Sequence, residues 1–502
     1  DDGSHWALSS GGAGSGCIPT YQDNVYFDAN SFSATGQTVS IIAVTADCKS
    51  MDWSGVTNSP EFDIDNELNV YGSLTFSPNM TVTSNSSYEL RFKSTQTGNT
   101  ITFAGNEWKG NISFEGVNGE WTLQDSLSLN NTYKTIFVDE GTLNTSGNSI
   151  STGTFQVRNS ATVNMSNTNL YCRYRFRIES LNYNTENSTI YAVGSVFDEV
   201  VSKSNIRLVV MDQSNSADVN GSGSWIGLYQ RIDVRGTGVT TLYSLTSDSV
   251  IVYAGKTVEI NGTVAINDYL SISGSCTGLS TLRAHSGTGI LSSLSANIAV
   301  NYANIENITA TGGASFVAND SYDLGGNSGW TINSTSAKDY YWVGDGGSWD
   351  DGSHWALSSG GAGSGCVPTY QDNVYFDTNS FSNTGQTVSI SAGITYCKSM
   401  DWTGVTNDPT LDVMNEVNIY GSLTFSPNMT VSSNSSYDLN FKSIQTGNTI
   451  TFADNDWKGN ISFEITPQHL TIYAPDCYDK LGTYAQMNPP IRDKSHYDRL
   501  WY

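Results

Sequence analysis

The chain has 502 residues and a formal net charge of −25, with 48 glycines, 14% charged residues and 11% aromatics. So acidic a chain repels phosphate backbones, which excludes nucleic acid as a partner class, and its 27 Tyr, 18 Phe and 12 Trp give it too much aromatic surface for a disordered polymer. No apolar run reaches the ~18 residues a membrane-spanning helix needs, so no membrane insertion is expected.

In chain order, the first 28 residues, DDGSHWALSSGGAGSGCIPTYQDNVYFD, form a Gly/Ser-rich opening motif that ends in an alternating strand at Val25, Tyr26 and Phe27. Short β runs follow, TVSIIAV, LNVYGSLTF, YELRFKS, NTITFAG, GNISFEG and KTIFVDEGTLNTSG, separated by Asn-Gly, Ser-Gly or Gly-Asn turns. Comparable positions (Val70, Leu90, Ile112, then Phe137 and Phe155) fall roughly twenty residues apart, the length of one rung of a solenoid. The expectation is therefore an all-β, right-handed parallel β-helix, with Asn and Ser stacked in polar ladders at the turns. Its competitor is a string of β-sandwiches of about 100 residues each; no internal period of that length occurs. Residues 116 to 339 continue in the same style.

From residue 350 the chain repeats itself. Asp1 to Glu115 align without a gap on Asp350 to Glu464, with 93 of 115 pairs identical. This defines a module at 1–349, a partial second copy at 350–464 and a remainder at 465–502. The lead-in YYWVGDGGSW, Tyr340 to Trp349, precedes only the second copy, so the chain is expected to begin about ten residues inside a module.

Cys17 and Cys48 recur as Cys366 and Cys397, which makes a disulfide within each copy reasonable in an oxidising compartment; four buried thiols are the alternative. Cys172 and Cys276 have no counterpart in the second copy, and Cys477 lies in the remainder. His5, recurring as His354 beside Trp355, reads as a structural residue packed among aromatics rather than a catalyst. Asp345, Asp350 and Asp351 could supply oxygen ligands to Ca2+, though no EF-hand pattern surrounds them. Scattered acids in a body poor in Arg and Lys fix no catalytic carboxylate pair.

The opening motif of the second copy, with Trp342, Trp349, His354 and Trp355 followed by Pro368, Asp372, Val374, Phe376 and Asp377, resembles the motif that opens each repeat in very large secreted surface proteins and adhesins of Bacteroidota-type bacteria. That resemblance covers residues 1 to about 464. It implies export through a type IX pathway, an extracellular or cell-surface location, and a non-catalytic structural or adhesive role toward glycans or surfaces. A polysaccharide-active β-helix enzyme is the alternative.

The remainder, TPQHL…APDCYDKLGTYAQMNPPIRDKSHYDRLW, is similar to a late segment of dihydroorotase, a zinc-dependent amidohydrolase with a (β/α)8 barrel. By that resemblance His469 is a metal ligand and Asn488 and Arg492 lie at the substrate site. The segment spans some 37 residues where such a barrel needs about 250, and a lone His cannot hold a catalytic metal, so no enzyme activity and no bound cofactor are expected. Asp493 to Tyr502 has helix character. With no linker around Glu464, the join reads as a chimera of two unrelated sequences.

Overall fold

The computed structural model describes residues 2–487, apart from 43–44, 130–132, 181, 193–195, 201–206, 211–216, 220–226, 392, 444, 464–469 and 474–484. The described residues are almost entirely strand, turn and loop, and their strands pair in parallel as a β-solenoid. Two compact units divide the chain, Asp1–Ser273 with Ser280–Ile332, and Gly274–Leu279 with Asn333–Tyr502. The lead-in Tyr340 to Trp349 thus folds with the second copy it precedes.

In the first unit the rungs stack through parallel ladders in which Leu68 faces Leu90, Leu90 faces Ile112, Ile112 faces Ile136, Ile136 faces Phe155 and Phe155 faces Phe176. Every side chain in that file is at most 1% exposed. Period-two alternation is the cause: each short strand sends alternate residues inward, and each buried Leu, Ile or Phe contributes about 1.5–3 kcal/mol. Rings stack along the axis, Phe92 on Phe114 at 5.0 Å and Phe27 on Trp53 at 3.6 Å.

Phe137, a sequence-expected rung position, is displaced by one residue. Ile136 faces the core, while Phe137 points outward beneath the Arg158 guanidinium, 4.1 Å from its ring centroid. Where two adjacent residues are both apolar, the pattern cannot choose between them. Val70 is inward but belongs to the neighbouring file, facing Phe92 rather than Leu90.

The expected runs resolve into shorter strands. LNVYGSLTF becomes Leu68–Val70 and Leu74–Thr75, which lie in different sheets because the chain turns a corner between them. Farther along, strands bend through corners without a break: Thr257–Ser273 pairs in succession with Ser280–Ala284, Gly289–Ser292 and Asn297–Asn301. Turns elsewhere use left-handed residues, glycine above all and often Asn, such as Asn118, Asn159, Asn167 and Asn187. Polar ladders do form, but on strands as well as turns: the Asn164 amide donates to Asn144 at 2.7 Å, and that of Asn440 to Asn418 at 3.2 Å.

The second unit uses the same construction, Leu411 facing Val388 and Val431, and Leu439 facing Val417 and Ile461. Two strands of the remainder extend these ladders, Leu470–Tyr473 beside Asn448–Thr451 and Ala485–Met487 beside Ile461–Phe463. The helix expected at 493–502 lies outside the described residues.

Candidate functional site

The two opening motifs share a sequence and differ in surroundings. In the second unit the lead-in strand Asp339–Trp342 pairs in parallel with Asn373–Tyr375 and antiparallel with Trp355–Ala356. That brings the Trp342 ring flat against His354, with centroids 4.7 Å apart, and sets Trp342 and Trp349 edge-on to Trp355 at 5.0 and 4.7 Å. His354 Nδ1 lies 2.7 Å from the Val343 carbonyl oxygen, to which it must donate. A Cβ added at Gly347 would lie 2.2 Å from His354 Nε2, so glycine is required for the approach. An imidazole held this way closes a loop, with its Nε2 4.0 Å from the Asp351 carboxylate. In the first unit the His5 side chain is 83% exposed, near only the carboxylate of Asp2 at 3.7 Å among its ion-pair partners.

The acidic residues of the second opening motif are occupied by their neighbours. Asp351 caps the short turn Gly352–His354, accepting from the Ser353 N–H at 2.9 Å. Asp345 accepts from the Ser382 N–H at 2.5 Å and from its hydroxyl at 2.8 Å. Hydrogen bonds from Ser353 and from Ser382, respectively, hold these two carboxyls below the usual range. Asp350 also has an interaction partner. Among the described residues no three His, Cys, Asp or Glu side chains form a metal-sized group. His469, Asn488 and Arg492 lie outside the described residues.

The expected disulfides Cys17–Cys48 and Cys366–Cys397 do not form. Cys48 and Cys397 occupy inward strand positions, 2% and 0% exposed, whereas Cys17 sits in a surface loop of the first opening motif. Burial pushes the Cys48 thiol up to about 12 and that of Cys397 higher. Cys366 is bonded instead to Cys276, with Cα atoms 4.8 Å apart. The repeat could not reveal that partner, because Cys276 has no counterpart in the second copy. Cys17, Cys48, Cys172 and Cys397 remain thiols.

Sequence reading also missed a cluster on the outer face of the first unit. Ionic ladders there pair one cation with several acids: Arg91 reaches Glu89 at 2.9 Å and Glu67 at 3.1 Å, with Glu115 at 3.7 Å. Asp233 inverts the ratio. Its fully covered carboxylate holds Arg207, Arg231 and Arg235 at 2.8, 2.7 and 3.2 Å, and those arginines remain 36–40% exposed. Burial pushes the Asp233 carboxyl upward, but hydrogen bonds and charge from Arg231 and Arg207 outweigh it and hold it below the usual value. Three cations around one anion leave a local excess of positive charge in an acidic protein. Arg235 lies 4.8 Å from the Tyr253 ring centroid and donates to its hydroxyl at 3.0 Å.

Register places an aromatic pair in the same file. Tyr171 faces Tyr191, their rings stacked at 4.6 Å, and Tyr191 leads through position 209 to Asp233. Two rung steps separate Tyr191 from Asp233, roughly 10 Å at the usual strand spacing. A sequence signal existed: Arg207 and Arg231 are one rung apart in a body poor in arginine. No family model, curated protein or solved structure matches the chain.

Proposed function

We propose that this chain is a structural and adhesive β-solenoid of the bacterial cell exterior, and that its first unit holds acidic glycans on the file running from Tyr171 and Tyr191 to the arginine cluster. The carrying observation is the charge inversion at Asp233: one buried carboxylate fixes three arginines whose outer faces stay open. Planar guanidinium groups suit carboxylate and sulfate, and tyrosine faces suit sugar rings. Binding is favoured over cleavage because the acids of the ladders are already shared with cations, as Glu67, Glu89 and Glu115 share Arg91, and such shared carboxylates are not poised for acid–base work. The remainder at 465–502 is assigned no activity, since a single candidate ligand, His469, cannot hold a catalytic zinc.

Calorimetry with an oligogalacturonate and a neutral oligosaccharide of equal length tests this reading. The acidic ligand binds, more weakly as salt rises, and Arg207→Gln and Arg231→Gln each reduce affinity about tenfold, the loss of one charge-assisted contact. Equal binding of the neutral sugar, or release of new reducing ends, would overturn the proposal in favour of a different surface or of the polysaccharide-active alternative.

A further inference from the structure

One corner of the solenoid has the same backbone in both copies but a different residue in it. Asn58, Ser59 and Pro60 of the first unit align with Asn407, Asp408 and Pro409 of the second. Both corners are left-handed at two successive residues, with φ of 66° and 45° at Asn58 and Ser59, and of 72° and 46° at Asn407 and Asp408. A residue that precedes proline is pushed to extended backbone with φ of about −120°, because the proline Cδ crowds its N–H and Cβ. A non-glycine residue held left-handed at that position is therefore strained.

Neighbouring groups hold that strain in place. The Asn407 carbonyl accepts from the Gly385 N–H at 2.9 Å, and the Asn407 side-chain amide donates to the Phe381 carbonyl at 2.6 Å. Beyond the corner Pro409 is buried, and its carbonyl accepts from the Thr430 N–H at 2.9 Å. The strand that follows, Thr410–Val413, is laddered on both sides, to Thr387–Ile390 and to Thr430–Ser433. The first copy repeats these anchors, with Asn58 bonded to Gly36 and Phe32 at 3.0 and 2.6 Å and Pro60 to Thr81 at 3.0 Å. Between two fixed ends, the exposed Asp408 is the residue that bends. The exchange of Ser59 for Asp408 also gives the corner a reactive group, because Asp408–Pro409 is the one Asp–Pro bond in the sequence. An aspartate carboxyl reaches its own main-chain carbonyl carbon through a small ring, and the tertiary nitrogen of proline leaves more readily than an ordinary peptide nitrogen.

We propose that Asp408–Pro409 is a self-cleaving bond, activated by the corner that the fold imposes on it. The Asp408 carboxyl oxygen bonds to the Asp408 carbonyl carbon, and the C–N bond to Pro409 breaks. The electron pair of that bond stays on the proline nitrogen, which takes up the proton that the carboxyl gives up. The products are a cyclic anhydride on Asp408 and a free prolyl amine. Water reaches this exposed residue and opens the anhydride to two carboxyl groups, so the net change is hydrolysis and consumes no oxidant or other co-reactant. Cleavage also releases Asp408 from its left-handed backbone while Thr410–Val413 stays in its ladders. Ser59, on the same backbone, carries no carboxyl and stays joined to Pro60.

The test uses the full chain, held in mildly acidic buffer and sampled over time by denaturing electrophoresis and mass spectrometry. Two pieces appear, residues 1–408 and 409–502, whose masses sum to that of the chain plus one water. They form about tenfold faster from the folded chain than from the chain unfolded in urea at the same pH, the ratio that ~1.4 kcal/mol of strain supplies. Asp408→Ser, which installs the residue the first copy carries, stops the cut, and Ser59→Asp adds a second cut before Pro60. An equal or faster cut in urea overturns the proposal, because it reduces the site to the acid lability of any Asp–Pro bond. A folded Ser59→Asp chain cut only before Pro409 overturns it as well, since the two corners share one backbone.

Discussion

His5 and His354 occupy the same position of the repeat, so replacing each by alanine makes one an internal control for the other. His354→Ala removes a parallel stack on Trp342 at 4.7 Å and a hydrogen bond to the Val343 carbonyl at 2.7 Å. A stacked aromatic pair is worth about 0.5–1.5 kcal/mol and a hydrogen bond a similar amount, so the local loss is about 1–3 kcal/mol. His5 makes neither contact in the described structure, and its side chain is 83% exposed. A solenoid need not unfold in one step, so the assay is native-state hydrogen exchange rather than a global midpoint. The Val343 N–H, bonded to the His354 carbonyl at 2.8 Å, is the reporter. In His354→Ala its exchange accelerates about 5- to 150-fold, the range that 1–3 kcal/mol implies, and in His5→Ala it does not change. Equal acceleration in both variants, or none in His354→Ala, would refute the assignment of His354 as a residue that closes the lead-in loop.

Asp23 and Asp372 form a second pair of duplicates. Hydrogen bonds from Thr20 hold the exposed Asp23 carboxyl below its ordinary value, while burial raises that of Asp372 despite matching bonds from Thr369. Carboxyl NMR on 13C-aspartate-labelled protein should therefore show Asp372 titrating at the higher pH. Its linkage follows: the Asp372 contribution is fully present below the ordinary value of 3.8 and is lost as pH rises through the raised one. Asp233 has the opposite sign, contributing stability above 3.8 that is lost as pH falls through its lowered value. Asp233→Asn should flatten that acid limb in pH-dependent hydrogen exchange of the strand 231–234; an unchanged limb would mean that the arginines do not depend on this carboxylate.

What the sequence disclosed and what it concealed divide along one physical line. Rung spacing and inward alternation depend on residues close in the chain, and they placed Leu90, Ile112 and Phe155 correctly. The Cys276–Cys366 bond joins residues 90 apart, and the Asp233 cluster gathers three arginines from two rungs. The bond has no local pattern, and the cluster shows locally only the alternation of Arg231, Asp233 and Arg235, because register between turns, which brings in Arg207, is set by turn lengths that vary from rung to rung. Cys48 misled for a related reason. A cysteine on an inward strand position behaves as a small hydrophobe, and its recurrence as Cys397 records a core site rather than a bridge.

Among the 22 differences that remain between the aligned copies, inward and outward positions change in different ways. Ala46 gives way to the buried Thr395, while four inward changes exchange one hydrophobe for another: Phe62 for Leu411, Ile64 for Val413, Leu68 for Val417 and Val70 for Ile419, all at most 2% exposed. Such swaps preserve a packed core at little cost. Outward changes recast one file in part. Asp47, Asn69 and Arg91 face one another in register in the first unit, where the second has Tyr396, Asn418 and Asn440. With the arginine replaced, Glu416, the counterpart of Glu67, accepts instead from the Asn440 amide at 2.7 Å. One ladder is ionic and the other amide, on the same backbone and over an equivalent core. Two substitutions, Tyr396 for Asp47 and Asn440 for Arg91, thus change the ladder from ionic to amide around an asparagine, Asn69 or Asn418, that both copies keep.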